Sequence, residues 1–131
     1  MQILQPPGWP RPRGYSNGIA AEGRMVFVSG MVGWDKDGKF QTMDFAGQVR
    51  QALENIIAVL AEAGAAPTHI ARMTWYVVDR DEYVQAYPEI GRHYRELIGT
   101  HYPAMTAVQI AGLVEPQARV EIEVTAVVPL T

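Results

Sequence analysis

"ARVEIEVTAVV", residues 118–128, decides the fold because its two alternating faces differ in polarity. One face is wholly apolar, and its residues are Val120, Ile122, Val124, Ala126 and Val128. The other face combines Glu121, Glu123 and Thr125 with the apolar Val127. Alternation of this kind predicts a β-strand whose apolar face packs against helices.

Two helices are predicted upstream of this strand. After Asp44, apolar residues recur every three or four positions, which predicts a helix that ends at Gly64, just before Pro67. Thr42 or Asp44 is expected to cap its start. A second helix is predicted to follow Asp81 and to end at Gly99.

Four β-rich stretches complete the pattern: residues 24–30, 70–78, 105–111 and 118–128. Strands and helices therefore follow the order strand, helix, strand, helix, strand, strand. This order predicts an α+β fold in which the helices lie on one face of a mixed sheet. The chain, residues 1–131, is interpreted as a single domain, and the Pro-rich residues 1–14 are expected to form an extended arm on its surface.

The second face of the sheet also needs a cover. The strands that contain "MVFVSG" (25–30) and "TWYVV" (74–78) are apolar on both faces, which a sheet open to water on one side does not tolerate. Because the pattern leaves no further helix in the chain, a partner subunit is the simplest cover. The sequence thus predicts an oligomer.

Composition narrows the function. The 131 residues carry a net charge of −3 without a cluster of Lys or Arg, which argues against a nucleic-acid partner. The chain has no cysteine, and its three histidines (His69, His93 and His101) lack metal-ligand spacing, so no metal site is expected. The sequence has neither a signal-peptide pattern nor an apolar stretch long enough to span a membrane, so a cytoplasmic protein without a membrane partner is expected.

Two residues are candidates for chemistry on their own pattern. Ser29 lacks the glycine two positions earlier that a nucleophile elbow requires, so it is interpreted as a pocket residue or simply the end of a strand. Glu121, on a sheet face covered by a partner, would be desolvated and suited to exchange protons with water or a substrate. A solvated or salt-bridged glutamate is the alternative, and the residues alone favour that alternative.

Five stretches, in this order, resemble the reactive intermediate deaminase family (RidA, YjgF, or liver perchloric-acid-soluble protein-like). They are "GYSNGIAAEGRMVFVSGMVGWDKDGKF" (14–40), "QVRQALENIIAVLAEAGA" (48–65), "MTWYVVDRDEY" (73–83), "YPAMTAVQIAGL" (102–113) and "VEIEVTAVV" (120–128). The resemblance implies a chorismate-mutase-like α+β fold and a homotrimer. In such a trimer the sheets form a central barrel, the helices lie outside, and three ligand clefts lie between subunits.

The resemblance also implies an activity and its residues. The best-known members hydrolyse reactive enamines and imines to ketoacids and ammonia without a metal or an organic cofactor. By position, Tyr15 matches a tyrosine at the cleft border, and Ser29 and Gly30 match its floor. Glu121 matches the glutamate that positions or activates water, and Ala107 stands where active members often have cysteine.

Met105 departs from the family pattern. Active deaminases have an arginine after the "PA" dipeptide, and its guanidinium holds the substrate carboxylate with a charge-assisted, two-pronged hydrogen bond. A methionine offers only a flexible apolar chain and a weak acceptor. The chain is therefore expected to belong to a subgroup without this arginine, with Arg72 or Arg119 as the alternative groups for an anion.

Three functions remain open at this stage. The first is a cofactor-independent hydrolase, similar to an enamine/imine deaminase, whose substrate is altered because of Met105. The second is a non-catalytic trimer that binds a metabolite or a protein partner in the same clefts. The third, an endoribonuclease or translation inhibitor, is disfavoured by the negative net charge.

Overall fold

The computed structural model describes residues 1–130 and contains six strands and three helices within them. The strands are β1 (Gln2–Leu4), β2 (Gly18–Ala20), β3 (Arg24–Val32), β4 (Ile70–Val77), β5 (Ala104–Gln109) and β6 (Val120–Val128). The helices are α1 (Phe45–Glu62), α2 (Arg80–Gln85) and α3 (Tyr87–Leu97), and a 3-10 turn at Pro67–His69 precedes β4.

Four of the strands form one mixed sheet in the order β3-β6-β4-β5. Strand β6 is antiparallel to both of its neighbours, whereas β4 and β5 are parallel and are connected through α2 and α3. The alternation predicted for residues 118–128 is confirmed, because Val120, Ile122 and Ala126 are completely buried against the helices. Strands β3 and β5 form the two edges of the sheet.

Helix α1 begins and ends as its sequence predicts. The Asp44 carboxylate accepts a hydrogen bond from the Gly47 backbone N–H at 2.9 Å, and the Thr42 hydroxyl accepts one from the Asp44 backbone N–H. After the helix, Gly64 adopts a φ of +69°, a conformation that glycine reaches without steric cost. Asp44 rather than Thr42 is therefore the N-cap.

Gln48, one turn into α1, ties this helix to β6. Its side chain is completely buried and donates to the Thr42 and Gln117 carbonyl oxygens at 3.1 and 3.0 Å. Its Oε1 accepts from the Arg119 backbone N–H at 2.7 Å. The amide thus satisfies three backbone groups and fixes the start of the strand that carries Glu121.

Two parts of the chain differ from the sequence-based expectation. The single second helix is divided at Ala86 into α2 and α3, because Pro88 has no N–H to continue the hydrogen-bond ladder of α2. The Pro-rich arm is exposed, but it is not simply an extended tail. Gln2–Leu4 pairs with Gly18–Ala20 as a small antiparallel sheet.

The face of the four-stranded sheet that points away from the helices is open within the described residues. On β3, Met25 is 56% exposed and Phe27 is 72% exposed. Exposed apolar side chains in the middle of a strand are typical of a surface that a partner subunit covers, which is the cover predicted from the sequence.

Candidate functional site

A β-bulge places two of the candidate residues on strand β3. Val28 pairs with Val124 and Met31 pairs with Ile122, so Ser29 and Gly30 together face one residue of β6. Such a bulge bends the strand and redirects its side chains, and bulges are enriched next to active sites.

Gly30 lies directly against Glu121. A Cβ atom at position 30 would be 2.7 Å from the Glu121 Cδ, so the carboxylate occupies space that only a glycine leaves free. Glu121 is half-buried, and its carboxylate has no ion pair within the described residues. Ser29, Gly30 and Glu121 are named here the bulge site.

The neighbouring glutamate of β6 has a different environment. Glu123 accepts a hydrogen bond from the Tyr76 hydroxyl at 2.7 Å. That hydrogen bond, followed by burial and by the negative charges of Glu123 and Glu121, raises the pKa of Tyr76 above its ordinary value. The Glu123 carboxylate is thus hydrogen-bonded to Tyr76, whereas within the described residues the Glu121 carboxylate accepts no hydrogen bond from a tyrosine.

A second group of candidate residues lines a cavity beside the other edge of the sheet. Tyr15, Met105 and Ala107 lie around a cavity of about 700 Å³ that extends from β5 to the helices α2 and α3. Met105 is half-buried and is paired in register with the completely buried Met73. This space is named here the β5 cavity.

Tyr15 reaches this position through its neighbour in sequence. The Ser16 backbone N–H donates to the Pro103 carbonyl at 3.0 Å, and the Ser16 hydroxyl donates to the Tyr102 carbonyl. Ser16 also forms an isolated parallel bridge with Ala104. These contacts anchor the chain alongside the start of β5 and thereby bring Tyr15 to the cavity.

The bulge site and the β5 cavity do not form one site within a single chain. Strand β3 and strand β5 are opposite edges of the sheet, with β6 and β4 between them. Three inter-strand spacings separate these edges by about 14 Å. The structure thus brings Ser29, Gly30 and Glu121 together, and Tyr15, Met105 and Ala107 together, but keeps the two groups apart.

Neither Arg72 nor Arg119, the alternative groups for an anion, lines the β5 cavity with Met105. Arg119 is held by Glu82, because its Nε–H donates a bifurcated hydrogen bond to both carboxylate oxygens at 3.0 Å. That interaction raises the pKa of Arg119. Arg72 lines a shallow depression on the open face of the sheet, with Ser29 on its wall.

Sequence reasoning missed the charged residues of the β5 cavity. Arg13 and Arg80 both line it, and they come from the N-terminal arm and from the start of α2. Their separation of 67 positions hides the pair from any motif search, although Arg13 stands only two residues before Tyr15. Only the packing of the arm and of α2 beside β5 brings them together.

Other classes of site receive no support from the described residues. No group of three or more His, Cys, Asp or Glu side chains that could hold a metal ion occurs within residues 1–130. Within the same residues, no helix is both long and apolar enough to cross a membrane.

A family model described as endoribonuclease L-PSP matches residues 10–128. The chain belongs to this family, the Rid or YjgF family. Among Rid-related proteins, a RutC family protein of Pyrococcus horikoshii is 34% identical over 106 residues, which cover 79% of this chain and 80% of that protein. A human 2-iminobutanoate/2-iminopropanoate deaminase is 29% identical over 119 residues, which cover 89% of this chain and 82% of the human one.

A solved structure agrees with the fold. The Rid family protein YyfB of Yersinia pestis, whose function is unknown, superposes with a TM-score of 0.85 at 26% identity and covers 97% of this chain and 98% of its own. The family and the α+β fold with a mixed sheet, both predicted from the sequence, are therefore confirmed for this Rid protein.

Proposed function

We propose that this Rid protein is a small-molecule hydrolase that acts on imines or enamines in a cleft between subunits. The observation that carries the proposal is the division of the candidate residues between opposite edges of one sheet. The name of the human relative, an iminobutanoate and iminopropanoate deaminase, supports the reaction class.

Assembly would complete the site. A contact between the β3 edge of one copy and the β5 edge of the next would place a bulge site beside a β5 cavity. Because such a contact joins two different surfaces, repeated copies close into a ring when the rotation fits. The resemblance to the family implies three copies, and burial of Phe27 in the ring would supply the missing cover of the open face.

The chemistry would need only protein groups and water. The Glu121 carboxylate accepts a proton from a water molecule while the water oxygen adds to the C=N carbon, and it then passes this proton to the nitrogen. Glu121 next moves the hydroxyl proton of the resulting carbinolamine to the nitrogen, the C–N bond breaks, ammonia leaves, and the hydroxyl oxygen becomes the carbonyl oxygen of the product. Gly30 leaves the space that the Glu121 carboxylate occupies, and Tyr15 would border the bound molecule.

Met105 would change the substrate rather than the reaction. Loss of one partner of a buried, hydrogen-bonded charge pair costs about 2–5 kcal/mol. A carboxylate at the position of the missing guanidinium is therefore not expected to bind. An apolar part of the substrate would contact Met105 instead.

The test is ammonia release by the purified protein from freshly generated imines, with amine-derived imines beside carboxylate-bearing ones. Wild type is expected to prefer imines that have no carboxylate beside the C=N carbon, and Met105→Arg to gain activity on those that carry one there. Glu121→Gln should abolish release. Glu123→Gln is the matched control, because it changes the adjacent glutamate of the same face. Equal activity of wild type and Glu121→Gln would refute the role of this carboxylate.

A non-catalytic binding trimer is the second candidate, and the methionine in place of the arginine favours it. In that case no imine is hydrolysed by any of these variants, and ligand affinity is unchanged in Glu121→Gln. Ribonuclease activity, which the description of the family model names, is disfavoured by the net charge of −3.

A further inference from the structure

Aromatic rings form the walls of the β5 cavity. Tyr83 and Tyr87 contact each other edge to face with centroids 5.1 Å apart, and Trp75 lies 6.0 Å from Tyr83. All three line the cavity, as does Met105. Aromatic rings prefer edge-to-face and offset-stacked contacts, so these walls can pack against the ring of a bound molecule.

The cavity is large for the substrates of its relatives. Its volume of about 700 Å³ lies in the range of sites that enclose drug-sized ligands, about 300–1,000 Å³. A three- or four-carbon imino acid, the substrate class in the name of the human relative, would leave most of this space empty. The walls therefore fit a larger, apolar body.

The charge at the cavity is of one sign. Among the described residues that line it, Arg13 and Arg80 carry charge, and no Asp or Glu is present. Both arginines are exposed, which places them at the mouth rather than in the interior. The Arg80 Nε is 3.9 Å from the Asp81 carboxylate, a contact between highly exposed groups that leaves most of its hydrogen-bonding capacity available.

Trp75, a residue of the cavity wall, has a buried polar atom without a partner within the described residues. The Trp75 side chain is 1% exposed, and its Nε1–H donates to no acceptor within the described residues. Buried donors are nearly always paired, so an orphan on a residue of the cavity wall is a position that a water or ligand acceptor would satisfy. The two guanidiniums favour a ligand that supplies acceptors.

We propose that the β5 cavity binds carboxylates that bear an aromatic ring, with the ring between the tyrosines and Met105 and the carboxylate at Arg13 and Arg80. The inference rests on the proposed function only in that Met105 and Tyr15 face the bound molecule. It extends that function by naming the substrate class. The carboxylate is held at the mouth, away from the position that an arginine at 105 would have served.

Binding can be measured without turnover because the cavity contains its own fluorophore. The chain has three tryptophans, and replacement of the two exposed ones by phenylalanine leaves Trp75 alone. The Trp9→Phe/Trp34→Phe protein is titrated with 4-phenylbutanoate, with 4-phenylbutan-1-ol, which lacks the charge, and with butanoate, which lacks the ring. Calorimetry of the wild-type protein checks the affinities.

Saturable binding of 4-phenylbutanoate with a change of Trp75 emission is expected, with butanoate at least about tenfold weaker. The double variant Arg13→Gln/Arg80→Gln should bind 4-phenylbutanoate about tenfold more weakly and should bind the alcohol with unchanged affinity. Arg92→Gln is the matched control, because Arg92 is an exposed arginine of α3 that does not line this cavity. The affinity of Arg92→Gln for 4-phenylbutanoate should equal that of wild type.

Three results would overturn the inference: no saturable binding of 4-phenylbutanoate, equal affinity for butanoate and 4-phenylbutanoate, or an unchanged affinity in the double arginine variant. Its failure is separable from failure of the proposed function. Ammonia release without 4-phenylbutanoate binding contradicts only the substrate class. Binding of 4-phenylbutanoate without ammonia release from any imine contradicts only the hydrolase.

Discussion

Replacement of Phe27 by glutamate is expected to dissociate the proposed trimer. The ring is 72% exposed in the single chain. With about 200 Å² for a phenylalanine, about 140 Å² would be buried on assembly. At 20–25 cal/mol per Å² this burial stabilises each contact by about 3 kcal/mol. Its loss, before any cost of burying the new charge, weakens association by more than about 100-fold.

Sedimentation velocity over a range of concentrations measures this effect directly. Wild type should sediment as a trimer, and Phe27→Glu should shift to monomers with its circular dichroism spectrum retained. Val59→Glu is the control, since Val59 is an exposed apolar residue on the outer side of α1, and its mass should be that of wild type. If Phe27→Glu remains trimeric at the lowest concentration, the open face is not the interface, and the reasoning from its exposed ring is wrong.

Three further changes test the bulge site, the core and the cavity. Gly30→Ala would place a Cβ 2.7 Å from the Glu121 Cδ; the displaced carboxylate should lower kcat roughly 100-fold in the ammonia assay. Gln48→Leu removes three hydrogen bonds to backbone groups and should lower the free energy of unfolding by about 3 kcal/mol in urea titrations. Burial, and secondarily Tyr87, raises the pKa of Tyr83 to about 12, so the unfolded chain loses this proton first as the pH rises above 10. Stability is therefore full below pH 10 and falls between about pH 10 and 12, and Tyr83→Phe should show a smaller loss over that range.

Each of these three predictions can be contradicted by a defined result. Gly112→Ala meets no atom within 4 Å and should leave kcat unchanged, so a similar loss in both glycine variants would contradict the steric argument. For Gln48→Leu, a change of less than about 1 kcal/mol would mean that water replaces the amide. Identical alkaline stability profiles of wild type and Tyr83→Phe would show that other groups govern unfolding at high pH.

Periodicity predicted the secondary structure well where one physical rule decides it. The apolar alternation of β6 and the capped repeat of α1 are local patterns, and both elements appear where the sequence places them. Pro88 lies inside the second predicted helix. Its effect could not be predicted from the sequence, because a proline can begin a helix or bend one. Strand β1 was missed since three exposed residues carry no periodic signal.

The candidate site was less accessible to sequence reasoning. The matched positions predicted Tyr15, Ser29, Gly30, Met105, Ala107 and Glu121 one by one, but no pattern along the chain shows which of them meet. Arg13 and Arg80 were missed altogether, because charged residues on an arm and at a helix start have no spacing rule.

By itself, the sequence determined the alternation of helices and strands, the family, and the methionine at position 105, because these depend on local order and residue type. Only the tertiary structure decided that β6 separates β3 from β4 and that Ser29 and Met105 lie on opposite edges of the sheet. The same packing closed an aromatic cavity with two arginines at its mouth. Strand order and cavity walls arise from contacts between residues far apart in the chain, and those contacts are set by the burial of apolar faces rather than by any local spacing.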